Sequence, residues 1–182
     1  MLRIAVLVGS LRQGSYNMQL AHTMKERYIN KLDLEIADIR SLPFFDQDIE
    51  LNPPHVVTDL MRKVASADGV FFVTPEYNWS VPGVLKNAID WLSRVDKVLI
   101  GKPALTAGVS PGMMGTIRCQ QHLREILASP GVQVRLLPPA GNEIYISSAA
   151  LKFDESTQRL VDESTLRTID RVIDHYIDFA RS

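Results

Sequence analysis

The chain begins, at residues 2–17, with LRIAVLVGSLRQGSYN, an apolar run followed by a segment rich in glycine and serine. Residues 3–8 have the branched, apolar composition of a buried β-strand. From Tyr16 onward apolar residues recur at three- and four-residue intervals, as they do along a helix. A strand, a small-residue loop and a helix in this order predict the first unit of an α/β fold. The loop leads into a helix N-terminus, which is a favourable place for an anion.

The loop at residues 9–17 has the residue types that a phosphate group requires. Gly9 and Gly14 lack bulk and let the backbone approach an anion, and Arg12 adds a charge that can pair bidentately with phosphate. Short polar side chains are supplied by Ser10, Ser15 and Asn17. Ordinary helix capping explains the same serine and asparagine residues. The spacing matches neither a P-loop nor the G-x-G-x-x-G dinucleotide fingerprint.

Five strand-like runs alternate with five helical patterns along the chain. The predicted strands are residues 3–8, 34–39, 69–74, 104–109 and 132–136, and the predicted helices are residues 16–32, 55–67, 83–94, 115–128 and 163–179. This alternation predicts a five-stranded parallel sheet with helices on both faces. The economical topology is a flavodoxin-like three-layer α/β sandwich with strand order 2-1-3-4-5, formed by one domain over residues 1–182.

Three loops of unusual composition follow the first, third and fourth predicted strands. They are residues 9–17, 75–82 and 110–115. In open parallel sheets ligands bind outside the carboxyl ends of the strands, at the switch point of the strand order. We therefore expect the three loops to converge on one site. Residues 46–54 and 138–157 are interpreted as surface excursions.

The second loop, PEYNWSVP at residues 75–82, combines two aromatic residues, an acid and an amide between prolines. These groups suit a planar heteroaromatic ligand held by a backbone that loses little entropy on binding. The alternative is that Tyr77 and Trp79 fill core or subunit contacts, and for Trp79 this alternative is favoured. The third loop, SPGMMG at residues 110–115, offers small residues where a flat ligand could lie close to the backbone.

Composition narrows the classes of function. The formal net charge is −1 and the basic residues are scattered, which argues against a nucleic-acid surface. No apolar run approaches the ~20 residues of a membrane span, and no signal peptide is evident, so a cytoplasmic protein without membrane attachment is expected. The single cysteine, Cys119, is interpreted as a buried or half-buried helix residue. The four histidines lack metal-ligand spacing, so no metal site is expected.

Three segments together resemble the NAD(P)H-dependent FMN reductase family, in the branch of bacterial quinone, chromate and azo-dye reductases. They are GSLRQGSYNMQLA at residues 9–21, PEYNWSVPGVLKNAIDWLSR at residues 75–94, and SPGMMGTIRCQQHLREIL at residues 110–127. The second segment is highly specific, because PEYN is followed by S-x-P-G-x-L-K-N-A-I-D-W. The resemblance covers residues 1–128 well.

This resemblance implies FMN as the cofactor and NADPH or NADH as the co-substrate. It implies that the phosphate side of FMN is bound by Ser10, Arg12, Ser15, Tyr16 and Asn17, and the ring side by Pro75, Glu76, Tyr77, Asn78, Ser110 and Gly112. No side chain is expected to be catalytic, because the flavin carries the chemistry. Pro111 and Thr116 depart from the pattern of similar sequences, which leaves the contacts of the third loop open.

The activity implied by the resemblance is ping-pong transfer of hydride from NAD(P)H to FMN and then to a small-molecule acceptor. The acceptor would be a quinone or a similar compound, such as a flavin, chromate or an azo compound. A homodimer or homotetramer is also implied, with Trp79 and residues 46–54 as contributors. Two other classes remain open: an FMN-binding electron carrier, which the near-neutral charge disfavours, and a nucleotide-binding regulatory module that uses only the first loop.

Overall fold

Eight strands and five α-helices follow one another in the computed structural model, which describes residues 1–182. The strands are β1 (Leu2–Val8), β2 (Leu32–Ala37), β3 (Gly69–Val73), β4 (Pro103–Val109), β5 (Arg135–Leu136), β6 (Ile144–Ile146), β7 (Phe153–Asp154) and β8 (Arg159–Leu160). The helices are α1 (Tyr16–Arg27), α2 (His55–Ser66), α3 (Gly83–Leu92), α4 (Ile117–Ala128) and α5 (Glu163–Arg181). None of these helices has both the length and the apolar character that a bilayer crossing requires.

The main sheet is parallel and has the order β2-β1-β3-β4-β5, which confirms the predicted order. It contains six strands instead of the predicted five, because β6 also pairs with β4. Leu137 still donates its N–H to the carbonyl of Ala104, but Pro138 and Pro139 have no N–H and interrupt the ladder. The chain returns at β6, opposite residues 107–109. The predicted strand at 132–136 is therefore confirmed only for its last two residues.

Alternating side chains along the central strands build two hydrophobic layers. On β1, Ile4 and Val6 belong to the cluster that includes α1 and α5. Ala5 and Leu7 belong to the cluster on the other face, with α2, α3 and α4. A strand buried on both faces is continuously apolar, as β1 is. The three-layer sandwich is confirmed.

Helix α1 ends at Arg27, well before the predicted end at Leu32. The N–H groups of Lys31 and Leu32 both donate to the carbonyl of Tyr28, so the chain turns there. The hydroxyl of Tyr28 donates to Asp170 at 2.8 Å, which anchors the turn against α5. Leu32 then enters the core as the first residue of β2, opposite Leu2, instead of as the last residue of a helix.

Close packing at two glycines brings β1, β3 and β4 together at their carboxyl ends. A Cβ atom on Gly9 would lie 2.7 Å from the Thr74 hydroxyl oxygen, and one on Gly108 would lie 2.1 Å from that of Thr116. Real Cβ atoms do not approach other atoms so closely, so these positions require glycine. The carboxyl ends of β1, β3 and β4 are therefore closely packed where the three loops leave the sheet.

The side chain of Asn17 connects the start of α1 to the end of β4. Its Nδ2 donates to the carbonyl of Val109 at 2.9 Å, and its Oδ1 accepts from the Val109 N–H at 2.9 Å. Asn17 is only 3% exposed, so both bonds are made away from water. Buried polar groups are costly when unpaired. This pair of bonds therefore sets the spacing between the first and third loops.

We expect Asn17→Asp to lower the free energy of unfolding by about 2–4 kcal/mol. Aspartate keeps the shape of asparagine, but a carboxylate oxygen would face the Val109 carbonyl in place of the donor. Urea unfolding at neutral pH measures the change. The matched control is Asn52→Asp, at an exposed asparagine, which should change stability by less than about 0.5 kcal/mol. Similar losses in both variants would show that the buried bonds are unimportant.

Candidate cofactor-binding site

The first loop presents a run of backbone N–H groups without protein acceptors. Among residues 10–17 only Ser15 donates its N–H within the protein, to the carbonyl of Arg12 at 3.3 Å. Ser15 is the N-cap of α1, and its hydroxyl accepts from the Met18 N–H at 3.4 Å. The N–H groups of Tyr16 and Asn17, in the first turn, stay open and carry the partial positive charge of the helix end. This run of open N–H groups, which we call the anion seat, is suited to binding an anion.

Two further side chains of the first loop are available to that anion. Ser10 is buried, and its hydroxyl has no hydrogen-bond partner in the protein. Arg12 is exposed, donates to the carbonyl of Gly14 at 2.9 Å and forms no salt bridge. Its guanidinium lies 5.9 Å from the centre of the Tyr16 ring. The side chain of Asn17 is engaged by Val109, so only its N–H is left for a phosphate.

The second loop contains a tight turn with two residues in the left-handed region. Tyr77 and Ser80 exchange backbone hydrogen bonds of 3.1 and 2.9 Å, while Asn78 and Trp79 have φ values of 50° and 63°. Positive φ at both central positions is the mark of a type I′ turn. A tryptophan there is strained, and such strain clusters at ligand sites.

Trp79 is 70% exposed, so the prediction that it fills the core is wrong. The turn directs its ring outward, where the guanidinium of Arg118 lies 3.7 Å from the ring centre. That distance allows a cation–π interaction. The remaining part of the prediction, a subunit contact, stays a prediction. Asn78 and Tyr77 are also exposed, and the side chain of Asn78 makes no hydrogen bond in the protein.

Helix α4, which carries Arg118, also holds the second loop through two hydrogen bonds. A carboxylate oxygen of Glu76 accepts from the Cys119 N–H at 3.0 Å, in the first turn of α4. Thr116, the N-cap of this helix, makes no side-chain cap bond, so Glu76 takes that role. The Ser80 hydroxyl and Nδ1 of His122 are 2.8 Å apart. Glu76 is thus a residue that orients the loop, and its predicted contact with a ring stays a prediction.

The third loop is held by the segment that follows β6. The N–H of Ser110 donates to Ile146 at 2.9 Å, and the N–H of Ala149 donates to Ser110 at 3.2 Å. The N–H of Ser148 donates to Gly112 at 3.0 Å. Residues 144–149 are therefore a support of the site, although the sequence indicated only a surface excursion. Backbone pairing of this kind leaves no side-chain pattern from which it could be predicted.

Arg40 is a second residue that the sequence reasoning missed. It follows β2, and its Nη2 donates to the carbonyl of Leu11 in the first loop at 2.5 Å. Its position in the sequence could have indicated this role. A cationic residue just after the second strand must lie at the edge of the sheet that carries the loops.

Cys119 is buried beside the second loop, as predicted, with its sulfur 3.8 Å from the Thr74 hydroxyl oxygen. Burial raises the pKa of its thiol to about 11. The thiol is therefore protonated at neutral pH and is not an activated nucleophile.

The site offers binding groups for an anion and a planar ring. Both halves of FMN fit these groups: phosphate at the first loop, ring between the second and third loops.

Comparison with known proteins identifies the family of this chain. The family model described as NADPH-dependent FMN reductase matches residues 2–144. A 2-hydroxy-1,4-benzoquinone reductase from a Burkholderia species is 38% identical over 182 residues, covering 99% of this chain and 97% of that protein. A quinone reductase from Escherichia coli K12 is 40% identical over 169 residues, covering 91% and 88%.

A solved structure extends the similarity to three dimensions. The flavoenzyme NAD(P)H:(acceptor) oxidoreductase FerB from Paracoccus denitrificans matches with a TM-score of 0.89 and 31% identity. The match covers 100% of this chain and 98% of FerB. The family model and the solved structure agree, and this chain belongs to the NADPH-dependent FMN reductase family.

Proposed function

We propose that this protein is an FMN-dependent NAD(P)H oxidoreductase that reduces quinones or similar small acceptors, with residues 1–182 acting as one FMN-binding domain in the cytoplasm. The observation that carries the proposal is the run of open N–H groups in the first loop, joined by the side chain of Asn17 to the end of β4, where the third loop begins. The quinone reductases among the relatives support the class of acceptor. Membership in a family of reductases disfavours both an electron carrier and a regulatory module.

The chemistry that bound FMN would supply is hydride transfer from NAD(P)H, followed by transfer of the electrons to the acceptor. The protein binds and orients the participants. Open N–H groups of the first loop and the guanidinium of Arg12 bind the phosphate. The N–H groups of Asn78 and Gly112 have no protein acceptor and are available to polar atoms of the ring. Because the loops are fixed before the ligand arrives, these dipoles need little reorganisation.

Donor and acceptor are proposed to use one opening in turn, which gives ping-pong kinetics. Met113 and Met114 of the third loop are largely exposed and Tyr77 of the second loop is half-exposed, so this side of the site is open to solvent. An open apolar surface selects weakly among flat molecules. We therefore expect several quinones to be accepted.

A homodimer or homotetramer is proposed from the apolar side chains of an anchored loop. Phe44 is 88% exposed and Leu51 is 79% exposed. The loop that carries them is held on α3, since Trp91 donates to the carbonyl of Pro43 and Arg94 pairs with Glu50. Large apolar residues on a fixed surface are typical of interfaces between proteins.

Light scattering should give a particle mass of at least twice the 20.4 kDa of one chain. Phe44→Asp should shift the population toward the single chain, because a buried unpaired charge is costly at an interface. The control is Ile29→Asp, which also replaces an exposed apolar residue. A single chain at micromolar concentration in the unchanged protein would contradict the oligomer.

The purified protein should bind FMN and oxidise NAD(P)H in the presence of a quinone. The measurements are a visible absorbance spectrum after reconstitution, and steady-state rates with NADH and NADPH. Parallel double-reciprocal lines would support ping-pong kinetics. A colourless protein after reconstitution, or no oxidation of either donor with any quinone, would overturn the proposed function.

Arg12→Ala should weaken FMN retention more than it slows turnover at saturating FMN. The lost charge-assisted contacts are worth roughly 10- to 100-fold in the FMN dissociation constant. Fluorescence titration of the apoprotein measures this constant. Arg62→Ala, which removes an exposed guanidinium of α2, is the control and should not change it. Equal FMN affinity in Arg12→Ala and the unchanged protein would contradict the proposed contact between Arg12 and the phosphate.

A further inference from the structure

Three residues in the first two turns of α4 contact the turn at residues 77–80 or the residue before it. They are Arg118, Cys119 and His122. Two of these contacts are hydrogen bonds to Glu76 and Ser80, at the two ends of the turn. Of the three, Arg118 alone contacts a central residue of the turn, Trp79.

Trp79 is an unusual residue for its position in the turn. Both central residues of a type I′ turn need a positive φ, and the second is normally glycine. Trp79 stands at this second position with a φ of 63°. A type I turn has a negative φ at both positions and suits most residues, so it would relieve the strain at Trp79. The amino-acid sequence of the turn therefore favours the type I form.

The neighbouring strands do not select the type I′ form either. Hairpins favour this turn because its twist matches the twist of the two strands that it joins. Here Tyr77 and Ser80 form an isolated bridge, and the turn joins no pair of strands. A contact from outside the turn is therefore needed to keep both central residues in the left-handed region.

The guanidinium of Arg118 supplies such a contact. It lies 3.7 Å from the centre of the Trp79 ring, and tryptophan is the aromatic residue that attracts a cation most strongly. Arg118 forms no salt bridge, and the carboxylate of Glu76 accepts from the N–H of Cys119 instead. The planar guanidinium is thus left to stack on the indole, which attaches the Trp79 ring to α4.

We propose that Arg118 is a positioning residue that keeps this turn in the type I′ form. The form of the turn fixes the direction of the open N–H of Asn78, which is proposed above to meet polar atoms of the flavin ring. This consequence for the flavin rests on the proposed function. Without the contact, the turn takes the type I form and the N–H of Asn78 points elsewhere. Affinity for the ring then falls, while the anion seat is unchanged.

The form of the turn can be measured without a flavin. Three-bond J couplings in the apoprotein report the φ values of Asn78 and Trp79. We expect positive φ at both residues in the unchanged protein and negative φ in Arg118→Ala. Trp79→Gly should keep the type I′ form with or without Arg118, because Asn-Gly is a preferred pair for this turn. Positive φ at both residues in Arg118→Ala would overturn the inference.

Fluorescence titration of the apoprotein with FMN and with riboflavin measures the effect on binding. Arg118→Ala should raise both dissociation constants by the same factor, roughly 3- to 30-fold. Arg118→Lys should restore part of the affinity, because lysine keeps the charge and loses the planar group. The control Arg62→Ala should change neither constant.

A double-mutant cycle distinguishes positioning from direct contact. In the Trp79→Gly background, Arg118→Ala should change either dissociation constant by less than about twofold. A loss as large as in the unchanged background would overturn the inference, because Arg118 would then bind the flavin itself.

The two readouts separate this inference from the proposed function. If the J couplings respond as expected and neither flavin binds to the unchanged protein, the proposed function fails and the role of Arg118 in the turn stands. If both flavins bind Arg118→Ala as tightly as the unchanged protein, the positioning role is overturned and the proposed function stands.

Discussion

The two hydrogen bonds between Asn17 and the backbone of Val109 are the constraint on which the site depends. The first loop leaves β1, and the third loop leaves β4, with β3 between these strands. Nothing in the parallel ladder fixes the distance between the two loops once they leave the sheet. The buried amide of Asn17 does fix this distance, because it both donates and accepts a hydrogen bond. Few other side chains have a donor and an acceptor in one plane, so this position tolerates no common substitute. The binding groups therefore stand at a set spacing before any ligand arrives.

The two ends of the candidate site are supported by different parts of the chain. The end proposed to bind phosphate is an open set of N–H groups at the start of α1, with Arg12 beside it. The end proposed to bind the ring is held by α4 through Glu76, and by the turn after β6 through the backbone of Ser110. The strain in the second loop, at Asn78 and Trp79, is offset by these supports. Binding therefore needs little ordering of the protein.

Much of the fold could be predicted from the sequence because its signals are local. Apolar runs separated by helical periodicity led to the strand order, and the three loops were placed together by topology alone. The interruption of the edge strand was missed, although Pro138 and Pro139 were visible, since the return at β6 depends on pairing with β4. The candidate site residues were chosen by residue type, and the structural contacts of two of them were not predicted: Asn17 and Glu76 orient the loops through contacts with distant backbone groups. Such contacts depend on the tertiary structure, as does the exposure of Trp79.

The most direct test of the account is a comparison of FMN and riboflavin binding to the apoprotein by fluorescence titration. Riboflavin has the same ring and lacks the phosphate. If the first loop is a phosphate seat joined to a ring site, FMN should bind at least about 100-fold more tightly than riboflavin, in keeping with several charge-assisted hydrogen bonds. Equal affinity for the two flavins would show that the first loop does not bind the phosphate, and would contradict the account.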